Sequence, residues 1–296
     1  MIDGLNILSG LGFIGLQDCR MKDEQDLSMN IIDFHTHVFP DELAPRAVDV
    51  LIENAKFTGI TMTNYTDATL DGLEKSMQKN GIAASVTLAI ATKPAHVSPI
   101  NMGCAENLRK NIIPFGTLHP QTEDFQTEID YLVDHKIKGI KMHPEYQYFY
   151  IDDRKFYPMY EKLSSSGLIA VFHTGKDPGP FTCDHALPSA IRKLHNDFPK
   201  LKIVAAHMGG WMLWDEAERE LTGIDIFFDT SAIYKLLPPR DFVRLCKKHG
   251  CEKIVFGSDS PWYDQGECVE WIMRTSLTDE EKEMILEKNA VRLLGL

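Results

Sequence analysis

The stretch Ile31-Ile32-Asp33-Phe34-His35-Thr36-His37 sets a pattern that the rest of the chain repeats. It is rich in β-branched and aromatic residues, which predicts a strand. Alternate residues of a strand point to the same side, so His35 and His37 are expected about 7 Å apart on one face. Two imidazoles at that spacing can bind one metal ion at about 2.1 Å from each nitrogen. Because a histidine pair alone is a common pattern, the other strands decide its meaning.

Seven further runs of this kind follow, separated by amphipathic segments. The eight runs are residues 31–37, 84–90, 112–119, 139–143, 169–175, 202–209, 226–230 and 253–259. Helical patterns include residues 124–135, 152–164, 188–198, 239–249 and 278–294. Eight strands alternating with helices over about 230 residues predict an α/β fold, the (β/α)8 TIM barrel, which typically needs roughly 250. A doubly wound open sheet is the alternative, but it would gather ligands at one switch point, whereas polar residues here end nearly every strand.

The barrel is predicted to span residues 29–296 as one domain, since no linker or low-complexity tract interrupts it. Residues 1–28 stand apart and contain an apolar segment without the preceding positive charge of a signal peptide. Two interpretations remain for them: an N-terminal arm, or a mis-chosen start with Met29 as the true first residue. The longest irregular interval, residues 57–67, is expected to lie beside the active site as part of a lid.

The chain has a net charge of -12 at pH 7 and no run of Lys or Arg. This argues against nucleic acid and anionic membranes as partners and favours a small-molecule substrate, while leaving a homodimer open. No apolar stretch approaches the roughly 18 residues that a membrane-spanning helix needs. The six cysteines are scattered and form no C-x-x-C pair, which predicts reduced thiols in a cytoplasmic protein.

Three other runs end in side chains that commonly bind metals: His173 ends the fifth, His207 the sixth and Asp259 the eighth. In a barrel all C-terminal strand ends surround one cavity, so residues far apart in the chain meet there. Together with the first-strand histidines, they predict an enzymatic divalent-metal centre at this face. Asp33 shares the parity of His35 and is expected to brace a ligand from deeper in the barrel.

The motifs D-F-H-T-H, K-M-H-P, F-H-T-G, A-H-M-G-G, F-G-S-D-S-P-W and N-A-V-R-L-L resemble the amidohydrolase superfamily. They are most similar to its amidohydrolase-related branch, which contains aminocarboxymuconate-semialdehyde decarboxylase-like enzymes. The resemblance covers residues 29–296 and implies a distorted TIM barrel. It also implies that one divalent ion, expected to be zinc, is held by His35, His37, His173 and Asp259. His207 would then lie beside the ion as an acid–base group, and Asp259 would also accept a proton from bound water.

The fourth run leaves the number of metal ions open, because Lys141 and His143 fall on the same side of the strand. In binuclear relatives such as dihydroorotase, a fourth-strand lysine is carbamylated and bridges two metals. Lys141 in that role would give two ions, with His173 and His207 serving the second. In the mononuclear alternative, which the motif set favours, Lys141 is a cation near the substrate, and His143 is a ligand or a substrate contact.

A carboxylated substrate would need a cation near the metal, and the candidates are Arg46, Lys141 and Lys176. Arg46 lies shortly after the first run, and its guanidinium could bind a carboxylate through two hydrogen bonds. Its alternative is a solvated residue at the start of a helix. Asp229, in the seventh run, is expected to have a structural or supporting role.

Three functions are compatible with these residues. In the first, metal-activated water hydrolyses a small-molecule amide, lactone or ester. In the second, a non-oxidative decarboxylase removes carbon dioxide from a small unsaturated or aromatic carboxylate. The third is a non-catalytic binding module, which is disfavoured because structural zinc sites are saturated by four protein ligands and commonly use thiolates. Hydrolysis is preferred here by analogy alone, because the chain is shorter than expected for the decarboxylase branch.

Overall fold

The structure is a computed structural model that describes residues 29–106 and 108–296. The predicted N-terminal arm or alternative start, residues 1–28, lies outside the described residues. Eight strands form one sheet in chain order, each parallel to the next. The strands are β1 (Ile31–Thr36), β2 (Ile82–Leu88), β3 (Ile112–Thr117), β4 (Gly139–Met142), β5 (Ile169–Phe172), β6 (Lys202–Ala205), β7 (Phe227–Asp229) and β8 (Ile254–Val255).

The sheet closes between its first and last strands. The backbone N–H of Phe34 donates to the carbonyl of Phe256 at 2.7 Å, and that of His37 donates to the carbonyl of Ser260 at 2.6 Å. These hydrogen bonds join β1 to the segment that includes β8 and continues past its end. The predicted (β/α)8 TIM barrel is therefore confirmed.

Helices surround the sheet. They are α1 (Ala44–Lys56), α2 (Leu70–Asn80), α3 (Val97–Glu106), α4 (Phe125–Asp134), α5 (Pro144–Gln147), α6 (Tyr157–Ser166), α7 (Pro188–Asp197), α8 (Trp214–Leu221), α9 (Pro239–His249), α10 (Gln265–Met273), α11 (Asp279–Glu283) and α12 (Asn289–Leu294). Short 3₁₀ turns cover Pro94–His96, Arg154–Phe156 and Cys251–Lys253, and a π-helical turn, Met284–Lys288, joins α11 to α12. None of the described helices is long and apolar enough to cross a membrane.

Local sequence signals explain several helix starts. Pro239 begins α9, where the missing N–H of proline costs no helical hydrogen bond. Pro158 lies in the first turn of α6, and this helix begins at Tyr157, five residues later than the predicted start at residue 152. Thr278 and Glu281 form a capping box at α11, each satisfying a backbone N–H of the other.

Two apolar clusters hold the barrel together. In the inner cluster, Phe34 of β1 contacts Phe115 of β3 edge-to-face, with ring centroids 5.7 Å apart. Because β1 and β3 are not neighbours in the sheet, this contact crosses the barrel interior. Leu294 of α12 belongs to the same cluster. The outer cluster packs the opposite strand faces, such as Ile140 and Phe172, against the surrounding helices.

Candidate metal centre and pocket

His35, His37 and Asp259 bring three potential ligand atoms together at the mouth of the barrel. The Nε2 atoms of His35 and His37 are 3.2 Å apart, and Oδ1 of Asp259 lies 3.4 Å from the first and 3.3 Å from the second. The centre of such a triangle is about 1.9 Å from each atom, close to the roughly 2.0–2.2 Å of zinc–nitrogen and zinc–oxygen bonds. We refer to these three residues as the metal triad.

The opposite ring nitrogens of both histidines are bonded to the protein. Nδ1 of His35 lies 2.8 Å from Oδ2 of Asp229 and 3.0 Å from Oγ of Ser231. Nδ1 of His37 donates to the backbone carbonyl of Leu88 at 2.8 Å. A carboxylate and a carbonyl only accept hydrogen bonds, so they place the ring proton on Nδ1 and leave the lone pair on Nε2. The two Nε2 lone pairs therefore face each other across a short distance.

The electrostatics of the metal triad suit a cation. Burial lowers the pKa of His35 well below its usual value, and Lys141 lowers it further, so the ring is neutral. Burial acts to raise the pKa of Asp259, but the adjacent His37 and His35 rings and the nearby Lys141 bring it below the usual value. Two imidazole nitrogens and one carboxylate oxygen are a donor set that divalent zinc, manganese and iron accept. The residues present thus fit a divalent ion.

Lys141 points into the same cavity from β4. It is 1% exposed, and its Nζ atom lies 3.3 Å from Nε2 of His35. Burial lowers the pKa of Lys141 to about 8, against the opposing effect of Asp229, Asp259 and Asp177. Among the described residues, no carboxylate lies within ion-pair distance of this amine. Lys141 is therefore a buried amine with no direct counter-ion among residues 29–106 and 108–296.

His173 and His207 lie beside the metal triad and contact each other. Nδ1 of His173 is 3.0 Å from Nε2 of His207, and Nε2 of His173 donates to the carbonyl of Lys176 at 2.8 Å. Nδ1 of His207 is 2.8 Å from Oγ of Ser231. Of the four ligands implied by the family resemblance, the structure thus brings three into one compact triangle and places His173 in an adjacent group.

That adjacent group consists of His143, His173 and Asp177, whose potential ligand atoms all lie within 4.8 Å of one another. Oδ2 of Asp177 is 3.3 Å from Nε2 of His143, and burial raises the pKa of this carboxyl to about 6. Sequence reasoning missed Asp177, because it lies in the loop after β5 and nothing in its local pattern distinguishes it from a solvated loop aspartate. Only its spacing of four residues from His173 could have suggested it.

Buried polar residues support the metal triad from below. Asp33 accepts hydrogen bonds from Oγ of Ser258 at 2.6 Å, Nε2 of Gln265 at 2.8 Å and the backbone N–H of His35 at 3.2 Å. Burial raises the pKa of Asp33 to about 6 in spite of these donors. Its position agrees with the predicted bracing role, which it performs through the backbone of His35. Asp229, predicted to have a supporting role, bonds the ring of the same histidine.

A pocket of about 360 Å³ opens above these groups, and its wall includes His35, His37, Lys141, His143, His173, Asp177, His207 and Asp259. Aromatic side chains make up much of the remainder, among them Phe39, Tyr146, Trp211, Tyr234, Trp262 and Tyr263. Residues 60–63 and Tyr65 also line it, so the irregular interval expected beside the active site does lie there. The pocket is large enough for one small planar ligand.

Two predicted substrate cations lie elsewhere. Arg46 is exposed on α1, and Lys176 is exposed in the loop after β5. Within residues 29–106 and 108–296, neither belongs to the wall of the pocket. The solvated alternative considered for Arg46 therefore matches its position. Of the three candidate cations, Lys141 is the one that reaches the pocket.

Comparisons with known proteins identify the family of the chain. The family model described as amidohydrolase matches residues 32–296. Decarboxylase orsB of Emericella nidulans is 26% identical over 132 residues. That match spans 37% of this chain and 39% of the fungal protein, well under half of the relative's length.

Several similar solved structures are decarboxylases. The 5-carboxyvanillate decarboxylase of Sphingomonas paucimobilis has a TM-score of 0.69 at 16% identity, and the match covers 90% of this chain and 99% of that one. A dihydroxybenzoic acid decarboxylase of Polaromonas, solved with bound manganese, has a TM-score of 0.67 at 15% identity, with 90% and 97% covered. At this level of identity the likeness shows the shared fold.

Proposed function

The chain belongs to the amidohydrolase family of enzymes, and from this premise we propose that it is a metal-dependent, non-oxidative decarboxylase of a small aromatic or unsaturated carboxylate. The observation that carries the proposal is Lys141, a buried amine in the pocket wall next to the metal triad. The net reaction would convert R–COO⁻ and a proton into R–H and carbon dioxide.

A buried ammonium without a counter-ion is costly, because it loses hydration and gains no compensating charge. Lys141 has no carboxylate within ion-pair distance among the described residues, although three aspartates act on it from further away. A substrate carboxylate would supply the missing partner at short range. Hydrolysis of a neutral amide, lactone or ester has no such use for this cation, so Lys141 favours the decarboxylase over the hydrolase preferred from sequence.

The metal triad would hold the divalent ion, and His173 is the fourth proposed ligand through a change of ring orientation. When bound, the ion supplies positive charge that orients and polarises a substrate oxygen. Lys141 would fix the substrate carboxylate from β4. His207, which lies in the pocket wall and bonds Ser231 and His173, is proposed to hold and return the proton.

The shape of the pocket supports a planar substrate. Its aromatic wall, described above, can stack on or enclose a ring, and burial of the ring would contribute most of the binding energy. The neighbours' substrates, named as carboxyvanillate and dihydroxybenzoate, are carboxylated rings of this size. For this chain, the same class is a proposal.

The length of the chain does not exclude a decarboxylase. Matches with the solved decarboxylases cover 97% to 100% of those chains, so a chain of this size can accommodate the whole decarboxylase fold. The hydrolase alternative is then supported only by the general ability of a metal centre to activate water.

A substrate panel separates the two activities. Carbon dioxide release would be measured with carboxylated phenols and unsaturated dicarboxylates, beside hydrolysis of aryl lactones and amides, on protein loaded with zinc or manganese. We expect carbon dioxide release from at least one carboxylated ring and no hydrolysis above the uncatalysed rate. Hydrolysis without carbon dioxide release would overturn the proposal.

Two variants test the residues. Lys141→Met is expected to lower decarboxylation at least about 100-fold while metal content stays at one ion per chain. Lys235→Met is the matched control, because Lys235 also lines the pocket but is exposed and paired with Glu267 at 3.1 Å. A metal content of two ions that falls in Lys141→Met would instead support the carbamylated, binuclear centre. His35→Ala is expected to abolish metal retention and turnover together.

A further inference from the structure

A second cluster of reactive side chains lies outside the metal centre, in the segments that follow β4 and β5. Sγ of Cys183 is 3.5 Å from Nε2 of His185. Nδ1 of His185 is 2.5 Å from Oε2 of Glu145, and the other oxygen of Glu145 accepts the backbone N–H of His185 at 2.6 Å. A thiol, an imidazole and a carboxylate thus form a continuous hydrogen-bonded series.

The exposure of the three side chains increases from the carboxylate to the thiol. Glu145 is 1% exposed and His185 is 9% exposed, whereas Cys183 is exposed to solvent. The Glu145 carboxylate accepts the proton of Nδ1, which leaves the lone pair of Nε2 directed at the thiol. A base held in this way by a third group is the arrangement that activates nucleophilic cysteines.

Tyr150 adds a proton donor on the same sulfur. Its hydroxyl donates to Sγ of Cys183 at 3.6 Å, and its ring lies 4.7 Å from the His185 ring, centroid to centroid. The tyrosine is half-exposed, so the hydroxyl and the thiol are both accessible to a small molecule.

The other described cysteines have different environments. Cys104 is half-buried and donates to the carbonyl of Phe115 at 3.3 Å, and burial raises its pKa to about 11. Cys246, Cys251 and Cys268 are buried. Within the described part of the chain, Cys183 is therefore the thiol that combines exposure with an adjacent imidazole.

We propose that Cys183, His185 and Glu145 form a thiol site that is oxidised by hydroperoxides to a sulfenic acid. Nε2 of His185 takes the thiol proton, and the sulfur attacks one peroxide oxygen, breaking the O–O bond. The departing oxygen receives the proton back and leaves as water. The sulfur is oxidised by two electrons and the peroxide is reduced, so R–SH and HOOH give R–SOH and H₂O.

The hydrogen-bond donors around the sulfur favour a peroxide over an acyl group as the electrophile. Reduction of a peroxide needs a proton for the departing oxygen, which His185 and Tyr150 can supply. Acyl transfer would need N–H donors directed at an oxyanion. The backbone N–H of His185 is already used by Glu145. The proposal does not depend on the metal centre or on decarboxylation.

The test is the rate of sulfenic acid formation at Cys183. The full-length protein would be treated with hydrogen peroxide at neutral pH in the presence of dimedone, and tandem mass spectrometry would follow the peptides of Cys183 and Cys104. We expect Cys183 to react at least about tenfold faster than both Cys104 and a synthetic peptide covering residues 180–186. Equal rates for the protein and the peptide would overturn the proposal.

Variants of His185 and Glu145 test whether these residues cause the fast oxidation of Cys183. His185→Gln and Glu145→Gln are each expected to bring the Cys183 rate down to that of the peptide, with near-ultraviolet circular dichroism as the folding check. If either variant fails to fold, Tyr150→Phe replaces it, since this half-exposed side chain can lose its hydroxyl without disturbing the core. Tyr150→Phe should slow oxidation by peroxide several-fold but leave alkylation by iodoacetamide unchanged. A folded His185→Gln variant with the original rate would refute the proposal.

Discussion

At the scale of single residues, the metal triad depends on which ring nitrogen carries the proton. His35 and His37 each use Nδ1 to bond the protein, through Asp229 and the carbonyl of Leu88 respectively, and each directs Nε2 at the proposed ion. The orientation is therefore set by residues that do not touch the ion themselves. The two supports differ in kind, because one is a side chain that can be mutated and the other is a backbone carbonyl.

Asp229→Asn tests this support. The amide can no longer fix the proton on Nδ1 of His35 as strongly, so the metal affinity is expected to fall about 10- to 100-fold. Competition with a chromophoric chelator measures the dissociation constant. Asp215→Asn is the control, since Asp215 is exposed on α8 and away from the pocket wall. An unchanged affinity in Asp229→Asn would show that the carboxylate does not orient the ligand.

Single residues also show where sequence reasoning reached its limit. Parity and strand-end position predicted that His35, His37 and Asp259 converge, and they do converge in the structure. The role of His173 came from the family resemblance, and its ring instead faces His207 and the carbonyl of Lys176. Rotation about its side-chain bonds decides between these contacts, and no sequence pattern encodes that angle.

At the scale of secondary-structure elements, all eight strands were predictable, but their ends were not. Most strands stop two or more residues before the predicted end, because the polar residues there bond loops and side chains instead of the next strand. The segment 278–294 was predicted as one helix and is interrupted by the π turn Met284–Lys288. The carbonyl of Ile285 in that turn accepts the N–H of Phe256 at 2.8 Å. This tertiary contact has no signature in helical periodicity.

The end of α9 gives a stability prediction. His249 is 2% exposed, stacks on Phe228 with centroids 3.8 Å apart, and donates from Nε2 to the carbonyl of Ile226. Burial lowers its pKa from 6.5 to about 4. Between these values the unfolded chain binds the proton more readily than the folded one, so stability falls as the pH falls from 6.5 to 4.

His249→Gln keeps an N–H donor for the carbonyl of Ile226 but removes the group that takes up a proton. Urea denaturation measures the free energy of unfolding at pH 6.5 and at pH 4. The decrease between these two pH values should be about 3 kcal/mol smaller in His249→Gln than in the original protein. Phe228→Leu separates packing from protonation, since it should lower stability at every pH and retain the slope. The same slope in His249→Gln and the original protein would assign the acid sensitivity to other groups.

At the scale of the whole molecule, the proposed metal site lies where the first strand, β1, meets the last strand, β8, and closes the barrel. We call this junction the seam. His35 lies on β1, His37 directly follows that strand, and Asp259 follows β8. The N–H of Asp259 donates to the carbonyl of His35 at 2.9 Å. The family membership and the barrel were both predictable from sequence, because the motifs lie at the ends of strands that alternate regularly with helices. The position of the metal site at the seam follows from the pairing of β1 with β8 and has no sequence pattern of its own.

Metal removal should therefore lower the thermal stability of the entire domain. At a free metal concentration about 1,000 times Kd, binding contributes about 4 kcal/mol, equivalent to a Tm change of roughly 10 °C in a domain of this size. Calorimetry with EDTA, followed by restoration of zinc or manganese, measures the shift. His37→Ala is the control, and its Tm should not respond to the chelator. A Tm of the original protein that is insensitive to EDTA would exclude an ion at the seam.

The seam also has a consequence for biosynthesis. A ribosome makes the two imidazoles almost at once and the carboxylate only after nearly all of the remaining strands have been translated. A nascent chain halted before β8 holds two thirds of the metal triad and lacks the strand that closes the cylinder. Full coordination of the proposed ion therefore has to wait until translation is nearly finished.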